Sequence, residues 1–193
     1  MEFSLKNLLL LVRETVIAPR QGARTVMNLG LSISFGWLAL LLMAIGSALF
    51  THLTLALLPM EEMQMLGSAV SSPIRTAILQ WGVMLLSVQA VYHIGRWRGG
   101  IGQLRDAVLL MAWLQFILLC LQVLQLVTQV LLPPLSELLG LVGLALFFWL
   151  LTNFIAELHG FGSLVKTFVA VLICLVLAAF LLAFVVALIF GSV

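Results

Sequence analysis

Residues 107–136, AVLLMAWLQFILLCLQVLQLVTQVLLPPLS, contain no Asp, Glu, Lys or Arg. A helix needs roughly 20 mostly apolar residues to cross the hydrocarbon core of a bilayer, and this run is longer. Outward from it, Thr25–Met60, Thr76–Gly95, Leu138–Ala156 and Thr167–Val193 are equally free of charge. The five stretches predict an all-α integral membrane protein with five transmembrane helices, over about 29–50, 76–95, 107–131, 138–157 and 166–190.

Composition points the same way. The 193 residues are 64% hydrophobic and 8% charged, with a mean hydropathy of +1.27, whereas about a quarter of a soluble domain is charged. Five crossings leave only short connections and an N-terminal segment, so one membrane domain over 1–193 is expected and a separate catalytic domain is not.

The nine basic residues set the expected orientation, because Lys and Arg near span ends favour the cytoplasmic side. With the N-terminus inside, Lys6, Arg13, Arg20, Arg24, Arg96, Arg98, Arg105 and Lys166 are cytoplasmic and only Arg75 is outside. The apolar run Leu8–Val12 is too short for a signal-peptide core and is followed by Arg13 and Glu14, so no cleavable signal is expected. On a helical wheel Glu2, Lys6 and Arg13 cluster with Asn7 and Glu14 beside them, away from Phe3, Leu5, Leu8, Leu9, Val12 and Val16. This predicts an amphipathic helix lying on the cytoplasmic leaflet. PRQGAR, Pro19–Arg24, is expected to break that helix, with its arginines near lipid phosphates.

The connection Pro59–Pro73 carries Glu61 and Glu62, and its Met60, Met63 and Met65 offer thioethers suited to Cu(I) or simple apolar contact. The segment YHIGRWRGGIGQLRD, Tyr92–Asp106, is the most distinctive of the chain. Its glycines are expected to make a tight turn and its arginines to reach lipid phosphates. No Lys followed by Ser or Thr makes it a nucleotide-binding loop.

PRQGAR ahead of the first span, together with GRWRGGIGQLRDAVLLMAWLQF over Gly95–Phe116, resembles the bacterial branch of the Yip family, whose eukaryotic members are named for interacting with Ypt/Rab GTPases. The chain has no Asp-Leu-Tyr-Gly-Pro run like that of the eukaryotic members, so Rab binding does not carry over. The resemblance implies five spans, a cytoplasmic N-terminus, no enzymatic activity and, for a bacterial member, the cell inner membrane.

Polar residues inside the spans give the candidate sites. Gln115, Gln122, Gln125 and Gln129 fall within about 80° of one another on a helical wheel. Lipid cannot satisfy four carboxamides, so the stripe is expected either to join helices or to line a furrow for a lipid headgroup or small solute. Gln89, His93 and Arg96 share a face of the second span, and Asn153, Glu157 and His159 reach the same inner boundary on the fourth. With Arg98 and Arg105 they form a candidate headgroup or partner site, the alternative being interfacial residues solvated by water.

Cys120 and Cys174 lie in mid-span, where a thiol behaves as a small hydrophobe. No catalytic set, metal site or cofactor is expected, and no nucleic-acid partner. The expected partners are membrane lipids and a membrane protein or a second copy of the chain. Two functions follow: a non-catalytic scaffold or adaptor for membrane proteins or lipids, or a lipid or small-solute transporter using the glutamine furrow.

Overall fold

The computed structural model of the chain describes residues 5–56 and 72–190, with side chains described for 6–56, 72–178 and 180. In chain order the helices are α1 (Leu5–Ile17), α2 (Pro19–Met27), α3 (Ile33–Leu55), α4 (Pro73–Trp97), α5 (Leu104–Leu131), α6 (Pro133–His159) and α7 (Leu164–Phe190). Four of these, α3 to α6, are long and apolar enough to cross a membrane. Of α7, the stretch Leu164–Ala178 is an apolar helix shorter than a crossing. The methionine-bearing connection around Met60–Met65 lies outside the described residues, as do the side chains of Ala179, Ala183 and Ala187.

Three helices begin with proline: Pro19 opens α2, Pro73 opens α4 and Pro133 opens α6. Proline suits the first turn because its fixed φ matches the helix and its missing N–H has no acceptor there anyway. One sequence expectation is corrected by this. PRQGAR is itself helical, and α1 gives way to α2 at Ala18 alone. Glu137 sits inside the first turns of α6, because only Leu132 separates α5 from α6.

The central helix is α5, which packs on α2, α3, α4 and α6. Its N-terminal part is enclosed on every side: Ala107 to Ala112, Leu114 and Ile117 are all buried. Its C-terminal part is not, for Val123, Leu124, Val127 and Val130 are exposed. Helix α2 completes the enclosure at the first of these ends, placing Ala23 and Val26 in the same core as Leu150, Leu151 and Phe154 of α6. That end carries Arg96, Arg98 and Arg105 and is called the basic end below.

The amphipathic α1 is present, but bundle side chains rather than lipid cover its apolar side. Leu11, Val12 and Val16 pack against the core, and Thr15 is fully buried. Leu9, Leu10 and Ile17 stay exposed beside Arg13 and Glu14, so the outer face mixes apolar and charged groups.

Close approach and hydrogen bonds hold α3, α4 and α5 together. Gly36 meets Val108 and Leu109, and Gly46 meets Leu119, bringing α3 against α5. Ser47 Oγ donates to Gln122 Oε1 at 2.8 Å and accepts from Gln80 Nε2 at 2.7 Å. Gln122 Nε2 donates in turn to Thr51 Oγ1 at 3.1 Å and to the Ser47 carbonyl at 3.3 Å. Carboxamides from α4 and α5 thus converge on one serine of α3, while His52 Nε2 and Thr76 Oγ1 lie 3.0 Å apart nearby. Helix α7 packs on α6 through buried Thr167 and Val171 and through Phe168, edge-to-face with Phe148 at 6.0 Å.

Because each intramembrane hydrogen bond contributes about 0.6 kcal/mol and at most roughly 1.7, Gln122→Leu is expected to lower the thermal midpoint in detergent by several degrees without abolishing folding. Ser47→Ala should do the same. The double variant should cost less than the sum, since both changes remove the same bonds; a fully additive result in thermal unfolding would exclude a shared network.

Candidate functional site

The basic end is assembled around an elbow between α1 and α2. Gly22 lies so close to Thr15 that a Cβ there would overlap the threonine. Thr15 Oγ1 donates to the Leu11 carbonyl at 2.7 Å and accepts from Trp113 Nε1 of α5 at 3.1 Å. The elbow is therefore pinned to the central helix through one indole.

Three arginines tie the same region together, each differently. Arg24 donates from Nε to Glu157 Oε1 and from Nη2 to Oε2, a two-point ion pair joining α2 to α6. The carboxylate holds the Arg24 guanidinium above its ordinary pKa, through the hydrogen bond first and then charge attraction. Arg20 Nη2 donates to the Phe161 carbonyl in the α6–α7 loop at 3.1 Å. Arg105 donates to the Leu31 carbonyl at 2.9 Å and the Met27 carbonyl at 3.2 Å, so it satisfies backbone groups where α2 ends. Asp106 lies 3.8 Å from the Arg105 guanidinium.

His159 is the buried centre of this end, only 2% exposed. Its Nε2 donates to the Val91 carbonyl of α4 at 3.1 Å, and its ring stacks on Phe161. A Cβ at Gly95 or Gly100 would overlap the imidazole, and one at Gly102 would crowd both the ring and Leu158. The glycines of the Tyr92–Asp106 segment are thus chiefly a cradle for a histidine. Only Gly99 among them takes a positive φ, +85°, and there it closes α4: Gly100 N–H reaches the Gly95 carbonyl at 2.9 Å and Gly99 N–H the Arg96 carbonyl at 3.0 Å. Gly160 closes α6 in the same manner, with Phe161 N–H on the Ala156 carbonyl at 2.8 Å.

The residues expected to share an inner headgroup or partner site divide into two sets. Gln89, His93, Arg96 and Arg98 are exposed on α4 and its end. Asn153, Glu157 and His159 are directed inward: Asn153 Nδ2 donates to the Trp149 carbonyl at 2.8 Å, and Glu157 takes Arg24 rather than any residue of α4. His93 makes an edge contact with Tyr92 alone, and among the described residues no group of three metal-ligating side chains forms. Arg20 and Arg24, expected near lipid phosphates, are engaged with Phe161 and Glu157. Their docking was legible in one signal: Pro19, Gly22, Ala23 and Val26 recur at three- and four-residue spacing and form the buried face of α2.

The glutamine stripe also divides. Gln122 turns to α3, whereas the Gln125 amide lies beside Gly140 and Gly143 of α6, and the Gln125 carbonyl accepts from Ser136 at 3.3 Å. Gln115 and Gln129 are half-buried and make no side-chain hydrogen bond among the described residues. Two clefts of the surface lie elsewhere. One, of about 470 Å³, is lined by Pro19, Arg20, Gln21, Arg24, Trp149 and Asn153; the other, about 340 Å³, is apolar and lies between α3 and α4 beside Trp81.

The Yip1 domain family model matches residues 13–186, most of the chain. The protein belongs to the Yip1 family. No curated protein and no solved structure matches it significantly. The Yip1 match takes in the α1–α2 elbow, the glycine cradle and His159, so the whole basic end lies within the family domain. With four long apolar helices beside that match, the chain is a multi-pass membrane protein.

Gly95→Ala is expected to destabilise this Yip1 domain by about 1–3 kcal/mol, the usual cost of overpacking. His159→Ala should be destabilising alone but should relieve Gly95→Ala, because the added methyl then meets space. Thermal unfolding of the two single variants and the double variant tests this; a double variant no better than the sum of the singles would show that the ring is not what the glycine accommodates.

Proposed function

We propose that this Yip1-family protein is a non-catalytic scaffold or adaptor of the bacterial inner membrane, engaging other membrane proteins or lipids through the end of the α4 hairpin. The observation that supports it is a division of labour at the basic end. Arg20, Arg24 and Arg105 each hold a partner within the bundle, whereas Arg96 and Arg98 make no hydrogen bond or ion pair among the described residues and flank Trp97, 88% exposed, with Ile101, 75% exposed, close by in the chain. Arg and Trp are the side chains that dominate binding hot spots, and both suit a headgroup boundary. Gln122, with its carboxamide engaged by Ser47 and Thr51, favours helix cohesion over a transport path.

The topology belongs to the same proposal. Five crossings, α3 to α7, place the N-terminus and the α4–α5 loop in the cytoplasm and the α5–α6 junction outside, in one membrane domain. Cysteines replacing Ile101 or Leu132, both exposed, test it in a background lacking Cys120 and Cys174. An impermeant thiol reagent added to intact cells should label Leu132→Cys and reach Ile101→Cys only after permeabilisation; the reverse pattern would overturn the orientation.

A photo-crosslinking residue at Ile101 should capture a defined membrane protein in native membranes. Changing Arg96 and Arg98 to Gln should reduce that capture several-fold while leaving the thermal midpoint within a degree or two, because neither guanidinium supports the fold. Unchanged capture would exclude this surface as the contact.

A further inference from the structure

The cleft at the start of α2 runs along a side of α6 that is graded in polarity. Trp149, Asn153 and Glu157 stand one turn apart along α6. Trp149 is 49% exposed, Asn153 is 4% exposed, and Glu157 is the partner of Arg24. An apolar wall thus passes within two turns into a charged one, as at the boundary between acyl chains and headgroups.

The polar side of the cleft is built to receive a negative charge. Arg20 and Arg24 bring two positive charges against the one negative charge of Glu157. Arg24 commits Nε and Nη2 to that carboxylate and keeps Nη1 free of it, with the side chain 66% exposed. The Nε–H of Arg20 is buried with no acceptor. Helix α2 begins at this point, with no side-chain cap. Ala18 N–H goes to the Glu14 carbonyl and Gly22 N–H to the Ala18 carbonyl. The positive end of the helix dipole favours an anion. Asn153, almost wholly buried, lines the cleft, with its Nδ2 bonded to the Trp149 carbonyl. The volume, about 470 Å³, lies in the range of small-molecule sites.

We infer that this cleft binds the phosphate of an anionic phospholipid, with the start of α2 and the Arg20 and Arg24 guanidiniums on the phosphate and the acyl chains descending past Trp149. Exposed Ile17, immediately before the elbow, extends the apolar rim toward the same lipid. The site is separate from the Trp97 and Ile101 surface, so the capture experiment at Ile101 and the lipid experiment below succeed or fail independently.

Gln21 allows a test that spares the fold, because it is exposed and only its backbone carbonyl is used, by Thr25. The purified full chain, delipidated and titrated with phosphatidylglycerol, is followed by native mass spectrometry with phosphatidylcholine as the competing lipid. Phosphatidylglycerol should be retained in preference to phosphatidylcholine; Gln21→Glu should weaken it about fivefold and Gln21→Lys strengthen it by a similar factor, the effect of one charge near a lipid surface. Trp149→Leu should weaken the intact lipid but not soluble glycerol phosphate. Binding of glycerol phosphate as tight as that of the lipid would keep the anion site and overturn its lipid source. Equal retention of both lipids, with no response to either Gln21 variant, would overturn the site itself.

Discussion

The arrangement of the basic end depends on one steric fact: the imidazole of His159 occupies the space that side chains at Gly95, Gly100 and Gly102 would need. That contact brings the end of α4, the loop to α5 and the end of α6 to a single point, with the Val91 carbonyl as the hydrogen-bond acceptor for the ring. A polar aromatic group is costly to bury without a partner, and a close backbone approach supplies one. Both helix ends around it close in the left-handed turn that Gly99 and Gly160 permit, so the capping of two helices and the seating of one side chain are a single packing problem.

From that point the N-terminal helices follow. Helix α2 lies on the enclosed part of α5 and on α6, using a face of Pro19, Gly22, Ala23 and Val26 small enough to let backbones approach. The Arg24–Glu157 pair and the Thr15–Trp113 hydrogen bond then orient it. An exposed ion pair contributes little by itself to stability; its effect is to choose one rotation of α2 about its axis. This choice leaves Arg20, Gln21 and Arg24 lining the cleft at the start of α2.

The bundle is thus dense at one end and loose at the other. Ala107 to Ala112 of α5 are enclosed, whereas Val123 to Val130 are partly open. In the looser half, cohesion rests on glycine contacts and the carboxamide network at Ser47, as expected where lipid tails remove the hydrophobic driving force between helices. Polar groups that look like a continuous stripe on the wheel serve two separate helix interfaces, because neighbours on opposite flanks of α5 divide an arc of that width between them.

Charge-free runs longer than a bilayer crossing and the lack of any sizeable polar segment determined from sequence alone that this is a helical membrane protein, since only a helix satisfies its backbone within lipid. The family resemblance was legible too, in PRQGAR and the glycine-rich segment, whereas the buried face of α2 went unread, because PRQGAR looks like a break. What the glycines were for was decided only by the tertiary structure: the same residues serve a tight turn or a close approach, and His159, distant in the chain, determines which. Proline was ambiguous for the same reason, reading as a break at Pro19 and Pro133 when it opens a helix at both. The pairing of Arg24 with Glu157 was likewise beyond any one-dimensional reading, because charge pairing depends on which helix ends the packing brings together.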